Sequence, residues 1–358
     1  MLKKKLLMMF CLFFLLVVLI AGCGSNSENT SRQENNNDDN SETITLKLAT
    51  STPTTHPFGQ YLIDPFMKRV TELTNGQVQF KYYPGEQLGK GQDLLDLMSD
   101  GVTDIAYISS PYYPDKMPIA STLLGMPGLL DSSYQASMAF HSLSKQDPVL
   151  QTDFLRNGVR PVATFVTPAY GFFTKDKLEI KVPEDLSGLK VRAVGGAVTE
   201  ALEFAGATPV NIAATEMYEA FEKGIVDVQF AYHLSMKGYG LDELIDYATK
   251  GVPFGAGGVG LAINENVWKK LPENVKEAIT QAGDEVTASN AKIQDEQNKE
   301  VIEQWKSNGV KIHQVTENEK KQWQELFDKF NKQWLEKQNN EDIMKVFEKY
   351  LDEGGKYK

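Results

Sequence analysis

The chain has 358 residues, of which 41% are hydrophobic and 24% charged, and a formal net charge of −11. That is length enough for two ordinary globular domains, and the acidic balance argues against nucleic acid and against wide contact with anionic lipid. Both cysteines, Cys11 and Cys23, lie near the N-terminus, so the rest of the chain has no disulfide, no thiolate nucleophile and no cysteine metal site.

Lys3, Lys4 and Lys5 begin the chain, an unbroken apolar run extends from Leu6 to Ala21, and Gly22 and Cys23 follow. At about 1.5 Å per residue the run falls short of a hydrocarbon core of roughly 30 Å, and reads as a signal peptide rather than a span. An uncleaved membrane anchor is the alternative. Ile20-Ala21-Gly22-Cys23 resembles a bacterial lipobox, which implies cleavage after residue 22 and a diacylglyceryl thioether on Cys23. Two or more acyl chains, at about 0.8 kcal/mol per buried methylene, make a durable membrane anchor. Residues 24–41 contain no bulky apolar side chain and cannot offset their ordering entropy, so 23–42 reads as a tether. A Lys-rich chain with only five Arg and such an anchor suits a Gram-positive surface.

Beyond the tether, Ile44, Leu46 and Leu48 alternate as in a half-buried strand. Phe58, Leu62, Phe66, Val70 and Leu73 recur at helical spacing, Pro65 marks a kink or second start, and Asn75-Gly76 ends the helix. Val78, Phe80 and Tyr82 alternate again. This β-α-β opening continues as alternating helix and strand signals to about residue 263, which predicts an α/β fold with parallel sheets.

One stretch of sequence has an echo. Leu94-Leu95-Asp96-Leu97-Met98 leads into Gly101-Val102-Thr103-Asp104-Ile105, and Met217-Tyr218-Glu219-Ala220-Phe221 leads into Gly224-Ile225-Val226-Asp227-Val228. Each reads as helix, glycine stop, then strand, and the recurrence predicts two similarly built halves. Ligands of open α/β sheets sit beyond the carboxyl ends of strands, here Ser109-Ser110 and Tyr232-His233. Further on, Glu273 to about Lys306 reads as one long helix. Trp323, Phe327, Phe330 and Trp334 then form a stripe that packs on a lobe or docks a partner.

Few residues signal chemistry. Gly255, Gly257 and Gly260 have dinucleotide-fingerprint spacing, but Pro253 precedes them and an apolar strand follows, which fits a crossing between lobes better. The histidines at 56, 141, 233 and 313 have no metal-pair spacing, no Gly-x-Ser-x-Gly elbow occurs, and nothing calls for a cofactor or an enzyme. His233 falls at a strand end and is either a pocket hydrogen-bonding group or a core histidine. Leu189-Lys190-Val191-Arg192-Ala193 reads as a strand closed by Gly195-Gly196, so Arg192 projects where a cleft would lie. Its guanidinium suits a ligand carboxylate and equally a structural salt bridge.

Gly188-Leu189-Lys190-Val191-Arg192, Ala205-Gly206-Ala207-Thr208-Pro209-Val210, Glu216-Met217-Tyr218-Glu219-Ala220-Phe221 and Gly224-Ile225-Val226-Asp227-Val228-Gln229 together resemble the substrate-binding proteins of TRAP (tripartite ATP-independent periplasmic) transporters. His56-Pro57, Tyr83-Pro84-Gly85-Glu86-Gln87-Leu88-Gly89, Val182-Pro183-Glu184-Asp185-Leu186 and Trp268-Lys269-Lys270-Leu271-Pro272 add to the likeness, which runs from Leu46 to the 330s. The resemblance implies a two-lobe, periplasmic-binding-protein-like fold with a ligand cleft, crossing strands and a long helix over both lobes. Lobe I then takes 43–169 and 258–297, lobe II 170–257 and 298–358. The lobes would close on a small organic acid and pass it to the membrane subunits of a TRAP permease. A binding protein of an ATP-driven importer and a ligand-presenting sensory protein share the architecture.

Arg192 stands at the family's carboxylate-binding position. The other expected ligand-binding residues are Gln229, Tyr232, His233, Tyr170, Phe172, Ser109, Ser110, Tyr112 and Glu86, with Tyr113 a further candidate. Two departures matter. Many relatives carry a second Arg where this chain has Gly171, and often Glu-Asn where it has Phe230-Ala231. Both remove polar groups, which predicts a monocarboxylate with an apolar or aromatic body rather than a four-carbon dicarboxylate.

Overall fold

The computed structural model describes residues 42–175, 178–255, 257–337 and 341–358; Cys23 and the apolar run before it lie outside these. Among the described residues no helix is long and apolar enough to cross a membrane.

Two sheets organise the chain. The first takes β1 (Ile44–Ala49), β2 (Val78–Tyr83), β3 (Ile105–Ser109), β4 (Val159–Val166) and β10 (Gly258–Asn264), in the order β2-β1-β3-β10-β4. The second takes β5 (Gly171–Thr174), β6 (Lys190–Ala193), β7 (Thr208–Asn211), β8 (Val228–Ala231), β9 (Tyr247–Lys250) and β11 (Lys311–Gln314), in the order β11-β9-β5-β8-β6-β7. The helices in chain order are α1 (Asp64–Leu73), α2 (Leu94–Ser99), α3 (Pro118–Leu123), α4 (Ser133–Ser144), α5 (Gly196–Phe204), α6 (Met217–Glu222), α7 (His233–Gly238), α8 (Glu265–Lys270), α9 (Glu273–Ser307), α10 (Glu317–Lys337) and α11 (Glu341–Gly355).

Neither sheet is wholly parallel, contrary to the expectation from sequence. β1, β2 and β3 are parallel, but β10 runs antiparallel to β3 and β4. In the second sheet β5 runs antiparallel to β8 and β9, while β6 is parallel to β7 and β8. The two exceptions are the strands that enter each lobe from the other. Carboxyl ends of the parallel strands face the cleft, so a strand arriving from the cleft side must run the opposite way.

The echo in the sequence corresponds to an equivalence in space. Gly101 and Gly224 have φ of 79° and 68°, the left-handed conformation that stops α2 and α6 at low cost in glycine. Asp104 then accepts from the Lys47 N–H at 2.7 Å, and Asp227 from the Lys190 N–H at 2.8 Å. Each aspartate also donates its own N–H to the same partner's carbonyl, at 3.1 and 2.8 Å. The Gly-x-x-Asp spacing is thus one device used twice to register a strand against a parallel neighbour, β3 against β1 and β8 against β6.

α9 holds the lobes in common. It packs on β4, α4 and α1 of the first lobe and on α7 and β11 of the second. Gly283 permits its approach to β4: a Cβ there would lie 2.1 Å from the Val162 carbonyl oxygen. The aromatic stripe of α10 is a packing face. Trp323 stacks on Phe172 at 5.5 Å and donates Nε1–H to the Lys181 carbonyl at 2.8 Å, and Phe327 meets Phe254 at 5.1 Å. α11 buries Ile343, Val346 and Tyr350 and packs on α4 and α3. The chain therefore ends on the first lobe, where the sequence reading had placed 298–358 with the second.

Candidate functional site: an aromatic cleft around a buried arginine

Between the lobes lies a cavity of about 60 Å³, measured as the space open to the centres of water-sized spheres. One water needs roughly 10–15 Å³ on that measure, so the room suits a small molecule and not an oligosaccharide. Ser51, Phe58, Tyr107, Ser109 and Tyr112 line it from the first lobe, and Arg192, Met217, Ala231, Tyr232 and Tyr239 from the second. Tyr170, at the start of β5, closes it on the crossing side.

Arg192 sits on β6, flanked by β7 and β8, and both neighbours hold it. Its Nε donates to the Ile212 carbonyl at 3.0 Å, just past β7, and its Nη1 to the Phe230 carbonyl on β8 at 3.1 Å. The guanidinium is thus fixed in plane from both sides, while Nη2 has no hydrogen bond to the described residues. Arg69 and Arg160 each form a two-pronged pair with a glutamate, Glu285 and Glu265. Arg192 pairs with no carboxylate among the described residues, so the structural salt bridge that its sequence left open is not made there. It is only 2% exposed, and burial pulls its pKa down from the ordinary arginine value while Tyr112, Tyr170 and Tyr239 act the other way. Of the described side chains around the cavity it is the one charged at neutral pH. An uncompensated buried cation costs several kcal/mol, which an anion in the cavity would offset.

The rest of the wall is aromatic. Phe58 meets Tyr107 at 4.7 Å and Tyr232 at 6.3 Å, and Tyr170 lies 6.0 Å from Tyr232. His56 packs on Phe58 at 4.7 Å and Tyr239 at 4.6 Å. Its Nδ1 accepts the Phe58 N–H at 3.2 Å, and burial pushes its pKa down to about 3, so the ring is neutral with its proton on Nε2. Nε2 is buried and unpartnered. Gly238 packs against this edge of the ring: a Cβ there would sit 2.9 Å from Cδ2 and 3.4 Å from Nε2 of His56.

The rims of the two lobes touch. The Ala214 N–H donates to the Tyr112 hydroxyl at 3.2 Å, and Thr215 bonds Glu86 at 3.3 Å. Glu86 therefore stands at the mouth, beside Lys90 and Glu216 in an outer recess of about 300 Å³, and not at the ligand cavity.

Of the residues expected from sequence, Arg192, Tyr232, Tyr170, Ser109 and Tyr112 come together around the cavity. Gln229, Phe172, Ser110 and His233 do not. Gln229 points under α6, its Nε2 donating to the Met217 carbonyl at 2.9 Å. Phe172 belongs to an interior strand and is held among Phe230, Phe254 and Trp323. The Ser110 hydroxyl donates to the Gly258 carbonyl at 3.1 Å. His233 turns back against Phe173 and Trp305, and burial pushes its pKa down to about 3. Tyr113 bonds the Gly91 carbonyl at 2.6 Å inside the first lobe. Gly171 has no room for a side chain such as the second arginine that the resemblance would lead one to expect, since even a Cβ would meet the Thr249 carbonyl oxygen at 2.6 Å. Phe58, Tyr107 and Tyr239 went unrecognised because a lone aromatic in an apolar pattern looks like core. His56 was visible only as part of the His-Pro match.

The family model for bacterial extracellular solute-binding proteins, family 7, matches residues 48–338. The C4-dicarboxylate-binding periplasmic protein DctP of Rhodobacter capsulatus is 24% identical over 78% of this chain and 84% of its own. A TRAP solute-binding protein of Rhodoferax ferrireducens, solved with copurified benzoate, superposes with a TM-score of 0.81 at 23% identity, over 88% of this chain and 98% of its own. One from Bordetella bronchiseptica, solved with (R)- and (S)-mandelate, gives 0.79 at 19% identity, over 88% and 100%. Two lobes around a cleft, and a family match over most of the described chain, place this protein in family 7 of the bacterial extracellular solute-binding proteins.

Proposed function

We propose that this protein is the extracytoplasmic receptor of a TRAP-type transporter, and that it captures a small monocarboxylate with an aromatic or apolar body. Arg192 carries the reading: a guanidinium fixed by two carbonyls, with no partner at Nη2 and no carboxylate partner among the described residues, in a cavity walled by aromatic rings. Relatives solved with benzoate and mandelate support the ligand class, and a dicarboxylate finds no second cation among the described residues around the cavity. Ser109, Tyr112, Tyr170 and Tyr232 contact the ligand, and Glu86 with Thr215 latches the mouth. Cys23, acylated after signal cleavage, tethers the receptor near the membrane subunits that accept its cargo.

A thermal-shift panel tests this: benzoate, hydroxybenzoates, mandelate, pyroglutamate, succinate and glucose. A ligand at 100 times its Kd adds about 2.7 kcal/mol, enough to move the melting point by several degrees. The expected outcome is a shift with aromatic monocarboxylates and none with glucose. A shift with the neutral sugar and none with any acid would overturn the reading.

A further inference from the structure

The segments that cross between the lobes have a hollow on each side. Thr167 lines the ligand cavity and the next residue, Pro168, a second recess; Tyr232 lines the cavity and His233 the recess; Tyr170 lines both. Thr167 and Tyr170 donate their N–H groups to the Gly257 and Gly255 carbonyls at 2.9 and 3.3 Å, so the outgoing and returning segments pair between the two hollows. The recess measures about 300 Å³ on the scale used for the cavity, and α9 supplies one of its walls.

Its chemistry is cationic. Lys250, Lys299 and Lys320, from β9, α9 and α10, line it. Their ammonium groups make no ion pair or hydrogen bond with the described residues. Two aspartates stand among them. Asp295 is engaged by the start of α4, accepting the Ser133 and Tyr134 N–H groups at 3.1 and 3.0 Å, and Lys299 acts on it only through space. Asp131 is exposed to solvent. His233 adds the buried part of the lining: it is 4% exposed, and both ring nitrogens are without a partner, although the Thr249 backbone lies close. A buried imidazole N–H without an acceptor is costly, and ammonium groups brought to one hollow from three elements repel one another until an anion joins them.

We infer that this recess is a second binding site, for a small multivalent oxyanion of the size of phosphate, and that its occupancy favours the closed cleft. The lysines supply the charge and the His233 N–H a directed donor. Because the paired segments lie between the hollows, a rotation that opens the cleft narrows the recess. The rims of the lobes touch in this structure, so the recess as it stands belongs to the closed arrangement. An anion seated there binds the closed form better than the open one, and by reciprocity the anion and the cargo acid tighten each other. The coupling rests on the proposed carboxylate site; the anion site itself does not.

Residues Glu42–Lys358 form one compact unit, and titration calorimetry on it tests this with inorganic phosphate, chloride keeping the ionic strength constant. Phosphate should bind with a Kd of about 1 mM or tighter. The double variant Lys299→Gln, Lys320→Gln changes only exposed side chains and should weaken it at least tenfold. Lys306→Gln, an exposed change on α9 outside the recess, should leave it within twofold. Arg192→Met should also keep phosphate binding, which separates the recess from the cleft. Saturating phosphate should tighten the acid of the thermal-shift panel that binds best at least threefold in wild type, and not in the double variant. The inference is overturned if phosphate does not bind, if its binding survives the double variant or is lost in Arg192→Met, or if it leaves the acid's affinity unchanged or weaker. If phosphate binds as expected and no acid of the panel does, the carboxylate site and the coupling fail while the anion site stands.

Discussion

Replacing Arg192 by Met keeps most of the side-chain length and removes the charge and the donors. Two effects on the ligand-free protein oppose each other. The Ile212 and Phe230 carbonyls lose charge-assisted bonds of 3.0 and 3.1 Å, each worth about 1.5–3 kcal/mol. Against that, the fold no longer buries an unpaired cation, a relief of several kcal/mol. The two are of similar size, so unfolding of the ligand-free variant in urea should stay within about 2 kcal/mol of wild type. Binding has no such compensation. Stripping one partner from a desolvated ion pair costs about 2–5 kcal/mol, roughly a 30-fold to several-thousand-fold weaker Kd for the acid that gave the largest melting shift. Arg192→Lys keeps the charge without the fork and should fall between. A residue that merely holds the second sheet together would lose stability and keep affinity. Binding of Arg192→Met within twofold of wild type would refute the role assigned here.

Three further outcomes can be measured. Tyr112→Phe removes the acceptor of the Ala214 N–H at the rim and should weaken binding by about 0.5–1.5 kcal/mol, seen mainly as faster ligand release; an unchanged release rate would show that this contact does not hold the closed lobes. Gly283→Ala should destabilise the protein by more than about 2 kcal/mol in urea. Alanine is normally better in a helix by about 1 kcal/mol, but here its Cβ would meet the Val162 carbonyl oxygen at 2.1 Å, and a stabilised variant would contradict that crossing. Asp153, fully buried, accepts the Ile119 and Ala120 N–H groups at 3.2 and 2.6 Å, and burial raises its pKa to about 7. The folded state then holds a proton that the unfolded state releases near pH 4, so this contribution is fully present below that pH and is lost as pH rises to 7. The stability difference between wild type and Asp153→Asn should shrink by about 4 kcal/mol between pH 4 and 8, and parallel pH profiles would exclude it.

The sequence made the two-lobe architecture legible because its punctuation repeats. Gly101 with Asp104 and Gly224 with Asp227 perform the same local task, and local tasks leave local signatures. The place of Arg192 on the cavity wall followed from its position at the end of a strand, but its local sequence suited a ligand carboxylate and a structural salt bridge equally, and the family resemblance tipped the reading. What the sequence hid was orientation. Alternation along β8 says that Gln229 and Phe230 face opposite ways, but not which way the cleft lies. β5 is buried on both faces, so Phe172 and Phe173 show no alternation to interpret. Gln229, Phe172, Ser110 and His233, which lie off the cavity wall, are all within a residue or two of it in sequence. Direction of travel was hidden as well, since a crossing strand has the composition of any interior strand.

The position of β10 carries a temporal consequence. It lies between β3 and β4, yet it is made about 90 residues after β4, once β5 to β9 of the second sheet have been synthesised. Until residue 264 is available, the first sheet lacks an inner strand, and the hydrogen-bonding edges of β3 and β4 have nothing to pair with. Vectorial, lobe-by-lobe folding is therefore blocked, and contacts of such long sequence separation form slowly. The first lobe is therefore completed only when residue 264 of 358 has arrived, after the chain has crossed to the second lobe and back.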